Sequence, residues 1–236
     1  MDYQKEYFNL HPDYHRLDAP RKLDDLLSVY DNKSGRIIDL GCGVGTLSYM
    51  LFNHFNPDYM VGLDLSKKAV AEAKKSFKKI HWISGDVLNY KTEKIFDVAF
   101  VADLMEHLDD DLSFLKHVSK ISNRIVLRVP LENTYVSYFL KICGVSDEFA
   151  RAKKRFGHVH YYSVGNLREL FGDAGLKIEK MSYQPLAKRS MFRFEVLRWF
   201  GLFLWIFSKP LSARFVGSFA VFSLKPIKSI YKNDRT

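Results

Sequence analysis

Cysteine is scarce in this chain, and no disulfide framework, secretory leader or membrane-spanning run is expected of it. Two cysteines in 236 residues, Cys42 and Cys143, cannot build a disulfide framework, so a reducing, cytoplasmic setting is expected. Residues 1–15 are polar and aromatic and carry no apolar core of a secretory signal. The charge-free stretch 199–207 is far shorter than the ~20 apolar residues a spanning helix needs. His158 and His160 alternate as two metal ligands on a strand would. No cysteine or further histidine follows nearby to complete a tetrahedral set, and no metal is expected.

What the chain does contain is ordinary for a folded domain. Hydrophobic content of 47% and charged content of 27% allow a sizeable core, and 236 residues suit a single domain with appended pieces. The net charge of +9 is unevenly placed. Residues 188–236 hold ten Lys/Arg against two acids, so most of the excess lies in the last fifth. Such a basic end points to nucleic acid, anionic lipid or an anionic substrate.

The chain is organised around residues 37–45, IIDLGCGVG. A β-branched strand runs into three alternate glycines, Gly41, Gly43 and Gly45, and a helix-spaced apolar pattern follows over 47–52. Strand, glycine turn and helix N-terminus in that order let backbone N–H groups approach a ligand with no Cβ in the way. A dinucleotide turn, G-x-G-x-x-G, needs its third glycine at position 46, and Thr46 stands there. Asp39, two residues before Gly41, favours a cation over a phosphate, which it would repel by roughly 1 to 4 kcal/mol at contact.

This acid-x-G-x-G-x-G pattern resembles the first motif of the class I S-adenosylmethionine (SAM)-dependent methyltransferases. The expected fold is therefore α/β: a Rossmann-like, doubly wound, seven-stranded and mostly parallel sheet with an antiparallel last strand, in an α-β-α sandwich. The resemblance implies SAM as cofactor. On its motifs, Asp39, Gly41, Cys42, Gly43 and Gly45 would hold the donor, with Asp64 and Leu65 at the ribose. Asp86 and Val87 would meet the adenine, and Ala102 and Asp103 would close the site after the fourth strand.

The remaining chain supplies strands at 59–64, 81–84, 96–102 and 125–129, alternating with helices at 67–79 and 109–121. Asp64, 23 residues after Gly41, ends the second strand, where one carboxylate can accept from both ribose hydroxyls. Asp86 reads either as that kind of ligand or as a turn residue. Strands alternating with helices place ligands outside the carboxyl ends of the strands, where all three acids fall. The Glu106-His107-Leu108 run resembles the small-molecule and lipid branch of the family. The same resemblance makes residues 1–34 an N-terminal helical lid, with Tyr7, His15 and Arg21 able to reach the cofactor, or else a helix packed on the core.

Residues 135–162 break the alternation and are the expected acceptor-side insertion. A helix over 163–174 and strands at 176–183 and 216–224 complete the sheet. Methyl transfer to a hydroxyl needs a general base near neutral pK, and His107, His158, His160 and Glu132 are the candidates. Between the last strands, 188–215 forms a basic, aromatic insertion. Its helix 191–207 sets Glu195, Arg198, Gly201, Ser208 and Lys209 on one side and a crowd of aromatic and aliphatic residues on the other. It suits in-plane membrane contact, with Lys188, Arg189, Arg193 and Arg214 near lipid phosphates, or a cap on the core or a dimer patch.

The expected partner is a small-molecule, sugar or lipid-linked acceptor, and no compact basic-aromatic module for nucleic acid is present. Three rivals stay open: a nicotinamide-dependent oxidoreductase, an RNA methyltransferase using the basic tail, and a non-catalytic SAM-binding scaffold. Oligomeric state and the acceptor atom are not legible.

Overall fold

A computed structural model describes residues 14–185 and 192–227, with side chains over 17–185 and 199–227. Tyr7 and the side chain of His15 lie outside the described residues. So do Lys188, Arg189 and Met191 and the side chain of Arg193. A seven-stranded sheet runs in the order β3-β2-β1-β4-β5-β7-β6. Its strands are β1 (Arg36–Leu40), β2 (Tyr59–Asp64), β3 (His81–Ser84), β4 (Val98–Ala102), β5 (Ile125–Leu131), β6 (Leu176–Gln184) and β7 (Ser218–Pro226). The first five are parallel, and β7 runs antiparallel between β5 and β6. That is the sheet the sequence leads one to expect.

Alternation along the strands divides the core between two faces. Ile37, Val98, Phe100 and Val126 point to one side, where α1 (Tyr14–Leu27) and α2 (Thr46–Phe55) supply Leu26, Leu51 and Phe55. Ile38, Leu40, Val101 and Leu127 point to the other, under α4 (Asp111–Ile121) and α7 (Val164–Asp173), which bring Phe114 and Phe171. Near-continuous apolar strands such as β4, buried at every residue, follow from cover on both faces.

Local chemistry starts and stops the helices. Ser66 caps α3 (Lys67–Ser76) and Asp110 caps α4, accepting from Ala69 and Ser113 backbone N–H groups at 3.2 and 2.9 Å. Two helices, α5 (Tyr135–Ile142) and α6 (Glu148–Phe156), make up most of 135–162; Thr134 and Asp147 cap them, and left-handed Gly157 ends α6. After β6, α8 (Phe192–Phe207) and α9 (Lys209–Val216) form a hairpin. It is close because Gly201 has no side chain: a Cβ there would lie 2.5 Å from Val216 Cγ2. The seventh strand starts two residues later than the 216 read from sequence, since α9 runs to Val216.

Candidate active site

Three successive left-handed glycines, with φ of +76, +53 and +82° at 41, 43 and 45, turn the chain from β1 into α2. Only glycine takes all three without strain. The turn is pinned to the neighbouring strand: Gly41 and Cys42 donate to the Leu63 carbonyl at 2.8 and 3.1 Å. Beneath it, the indole of Trp82 lies against Gly45 and Gly62, where added Cβ atoms would each meet the ring at 2.4 Å. Trp82 Nε1 donates to the Phe77 carbonyl at 2.7 Å, which fixes the ring. Gly45 is also the N-cap of α2 and offers no side-chain cap, so the first N–H groups of that helix face the turn's mouth.

The predicted acids lie in different environments. Asp64 spans the turn: Gly43 N–H donates to Oδ2 and Ser66 N–H to Oδ1, both at 2.8 Å. Burial raises its pKa, against the pull of those two donors. Leu65, beside it, is half exposed. Asp86 is exposed and caps the turn Val87–Asn89, accepting from Leu88 N–H at 2.9 Å, so it has the turn role as well as a carboxylate at the third strand end. Asp39 differs from expectation. It does not edge the mouth but is buried beneath it, accepting from Ser48 Oγ, and burial pushes its pKa up to about 7. The cause is α2, which folds Ser48 back over the end of β1.

Asp103 also differs. It takes φ +57°, and its carboxylate turns inward to Lys22 Nζ at 3.0 Å and to Arg128 Nη1. Arg128, fully buried on β5, donates through Nε to Asp25 at 2.8 Å and lies 3.8 Å over the Phe219 ring. Burial opposes the charge on Asp103, but Arg128 and then Lys22 hold its carboxyl well below the usual range. Ala102, one residue before, is buried. This network ties α1 to the end of β4 and the middle of β5. Its signal in the sequence was a charged residue, Arg128, inside an otherwise apolar strand.

A second cluster forms where the strand ends meet the insertion. Glu132 Oε2 lies 2.7 Å from His158 Nδ1, and the His107 and His158 rings meet edge to face at 4.9 Å. Burial alone would lower the pKa of His158, but the Glu132 hydrogen bond outweighs it and raises the value. His107, with a backbone hydrogen bond to Gly157, is pushed down to about 4 by burial and then by His158. Glu106, between them, is 1% exposed, and its Oε2 has no hydrogen-bond partner. Burial, then Asp103, pushes its pKa up to about 8. Ligand atoms of Glu106, His107 and His158 lie within 4.8 Å of one another, so among the described residues this trio could hold a metal ion. The sequence pattern brought only His158 with His160 into view as metal ligands, and no metal was expected of it.

His160 does not join them. Residues 157–163 are not a strand, because Val159 and His160 N–H groups both donate to the Glu106 carbonyl at 2.9 and 3.3 Å. That turn carries the His160 ring away to Tyr162 and Asp109.

A doubly wound sheet with an acid-spanned glycine crossover is the architecture of the class I SAM-dependent methyltransferases. The family profile described as "Methyltransferase domain" matches residues 13–181, and the chain belongs to that family. It is 33% identical over 118 residues to a ubiquinone biosynthesis O-methyltransferase from Pelagibacter ubique, covering 48% of each chain. To a trans-aconitate 2-methyltransferase from Shigella dysenteriae it is 22% identical over 149 residues, 61% of this chain and 57% of the relative. The matched region thus spans about half the length of these relatives. A SAM-dependent methyltransferase structure from Thermotoga maritima aligns over 94% of this chain and 97% of its own, with a TM-score of 0.64 at 15% identity. At that identity the likeness shows the fold.

Proposed function

We propose that the chain transfers a methyl group from SAM to a hydroxyl of a small-molecule acceptor, a sugar or lipid-linked hydroxyl being the finer form. The observation that carries this reading is the crossover itself, where a carboxylate spans a turn of three left-handed glycines. The donor set fits a cationic sulfur nucleoside. Asp64 can accept from vicinal hydroxyls, uncapped N–H groups of α2 suit the amino-acid carboxylate, and Asp86 with Val87 suit the adenine edge. When bound, SAM supplies an electrophilic methyl group on a sulfonium.

The chain's own residues supply position and a proton acceptor. Glu132 accepts from His158 Nδ1–H, which leaves Nε2 to take the proton of an acceptor hydroxyl. His107, held neutral, packs against that imidazole and limits its rotation. Alignment of the two reactants contributes on the order of 7 to 11 kcal/mol.

The test is calorimetry with SAM and S-adenosylhomocysteine on the wild type and Asp64→Ala. The wild type binds both and the variant loses most of its affinity. Equal binding by the two proteins overturns the ribose assignment, and no binding of either ligand by the wild type overturns the function.

A further inference from the structure

We infer that α5, α8 and α9 form one face that docks on an anionic lipid bilayer, with the active site turned toward it. Large apolar side chains on this face stand in the open: Phe139 and Ile142 of α5 are 65 and 83% exposed, Ile206 and Phe207 of α8 79 and 71%. The three helices pack together. Ser212 Oγ of α9 donates to the Gly201 carbonyl of α8 at 2.7 Å, and Tyr135 of α5 meets Phe215 of α9 at 5.3 Å between centroids. The apolar surface is therefore continuous across three elements rather than a scatter of single residues.

Charge decides among the occupants. The α8–α9 hairpin carries Arg193, Arg198, Lys209 and Arg214 against one acid, Glu195, and α5 carries Lys141, which pairs with Asp147, and no acid. Lys209 sits 5.8 Å from the Trp205 ring and Arg214 lies 5.2 Å over Tyr135; among the described residues neither has a carboxylate partner. The acids at the start of α6, Asp147 and Glu148, are matched by Lys141 and Arg151 at 3.1 and 2.9 Å. A second copy of this face would bring cation against cation. Anionic headgroups satisfy the cations while the aromatic side chains enter the interface. Among the described residues no helix is long and apolar enough to cross a membrane, so α8 lies in the plane.

Topology fixes the orientation. The first residue of β7, Ser218, pairs with the last residue of β5, Leu131, so α9 ends at the carboxyl edge of the sheet. Glu132 and Thr134 leave that same edge into α5, and His158 returns to it from α6. A bilayer under this face therefore lies beside the Glu132–His158 pair. That the bilayer presents the acceptor rests on the methyl-transfer reading; docking does not.

Sedimentation with vesicles of phosphatidylcholine, with and without phosphatidylglycerol, tests the proposal on the full chain. The wild type binds the anionic vesicles, and binding weakens with salt. Lys209→Glu with Arg214→Glu weakens it roughly tenfold or more. Ile206→Ser with Phe207→Ser releases the protein at unchanged charge. Calorimetry with S-adenosylhomocysteine shows that each variant is folded and separates failure of docking from failure of the methyl-donor site. No binding to anionic vesicles by a protein that binds this nucleoside overturns the proposal. So does a concentration-dependent dimer that the apolar double variant dissolves while vesicles go unbound.

Discussion

Asp103, just past the carboxyl end of β4, and Arg128, in the middle of the adjacent β5, form a buried ion pair, with Lys22 and Asp25 of α1 completing the charges around it. Four charges from three elements thus compensate one another where water is excluded. Replacing one partner leaves the others buried and uncompensated, at a cost of about 3 to 5 kcal/mol. Arg128→Met is expected to lower the free energy of urea unfolding by that amount. Arg128→Lys recovers part of it, since a lysine keeps the charge but not the fork. An unchanged midpoint in Arg128→Met would show that the pair does not hold the two strands.

Asp39 makes stability depend on pH with a definite sign. Its native pKa is raised to about 7, whereas in the unfolded chain an aspartate titrates near about 3.9. The native state therefore keeps the proton longer. Stability from this group is complete at acid pH and is lost as pH rises from about 4 to about 7. Asp39→Asn removes this dependence, and the difference between variant and wild type in urea midpoint grows toward alkaline pH. Parallel pH curves for the two proteins would refute the burial account.

His158 and Glu132 act as a unit in the proposed chemistry. His158→Gln is expected to lower kcat about 10²- to 10⁴-fold while leaving affinity for S-adenosylhomocysteine intact. Glu132→Gln removes the partner that raises the pKa of His158, so the rising limb of the pH–rate profile moves to lower pH. Assays use a panel of phenolic, sugar and amphiphilic hydroxyl acceptors, read by S-adenosylhomocysteine release. Turnover that persists in EDTA supports a proton relay; turnover lost in EDTA and restored by a divalent cation assigns Glu106, His107 and His158 to a metal.

Gly45 is required by Trp82 as well as by its own backbone. An added methyl would meet the indole at 2.4 Å, in a conformation that L side chains rarely adopt. Gly45→Ala is expected to cost roughly 1 to 3 kcal/mol. In a Trp82→Leu background the cost falls, a non-additivity that denaturant titration of the double-mutant cycle measures. Strict additivity would place the whole cost in the backbone.

The order of strands and helices was legible because each apolar run carries its own period and each turn its own glycine or cap. The crossover was legible for the same reason: Gly41, Gly43, Gly45 and Asp64 lie within one βαβ unit and need only local spacing. Contacts between distant segments were not. Lys22, Asp103 and Arg128 come from three elements, and nothing in the local pattern says that Asp103 turns inward. Glu106 is a similar case, since in sequence it is an acid beside a histidine, and only the fold over it creates the buried carboxyl. His160 was paired with His158 on the premise of a strand, which the shared Glu106 carbonyl prevents.

Lys22 and Asp25 anchor α1 by their charges, which opposes any outward swing of that helix. Lifting it would strand Arg128 and Asp103 in a dry interior at every turnover. A cross-link fastening α1 to the sheet is therefore expected to leave turnover unaltered.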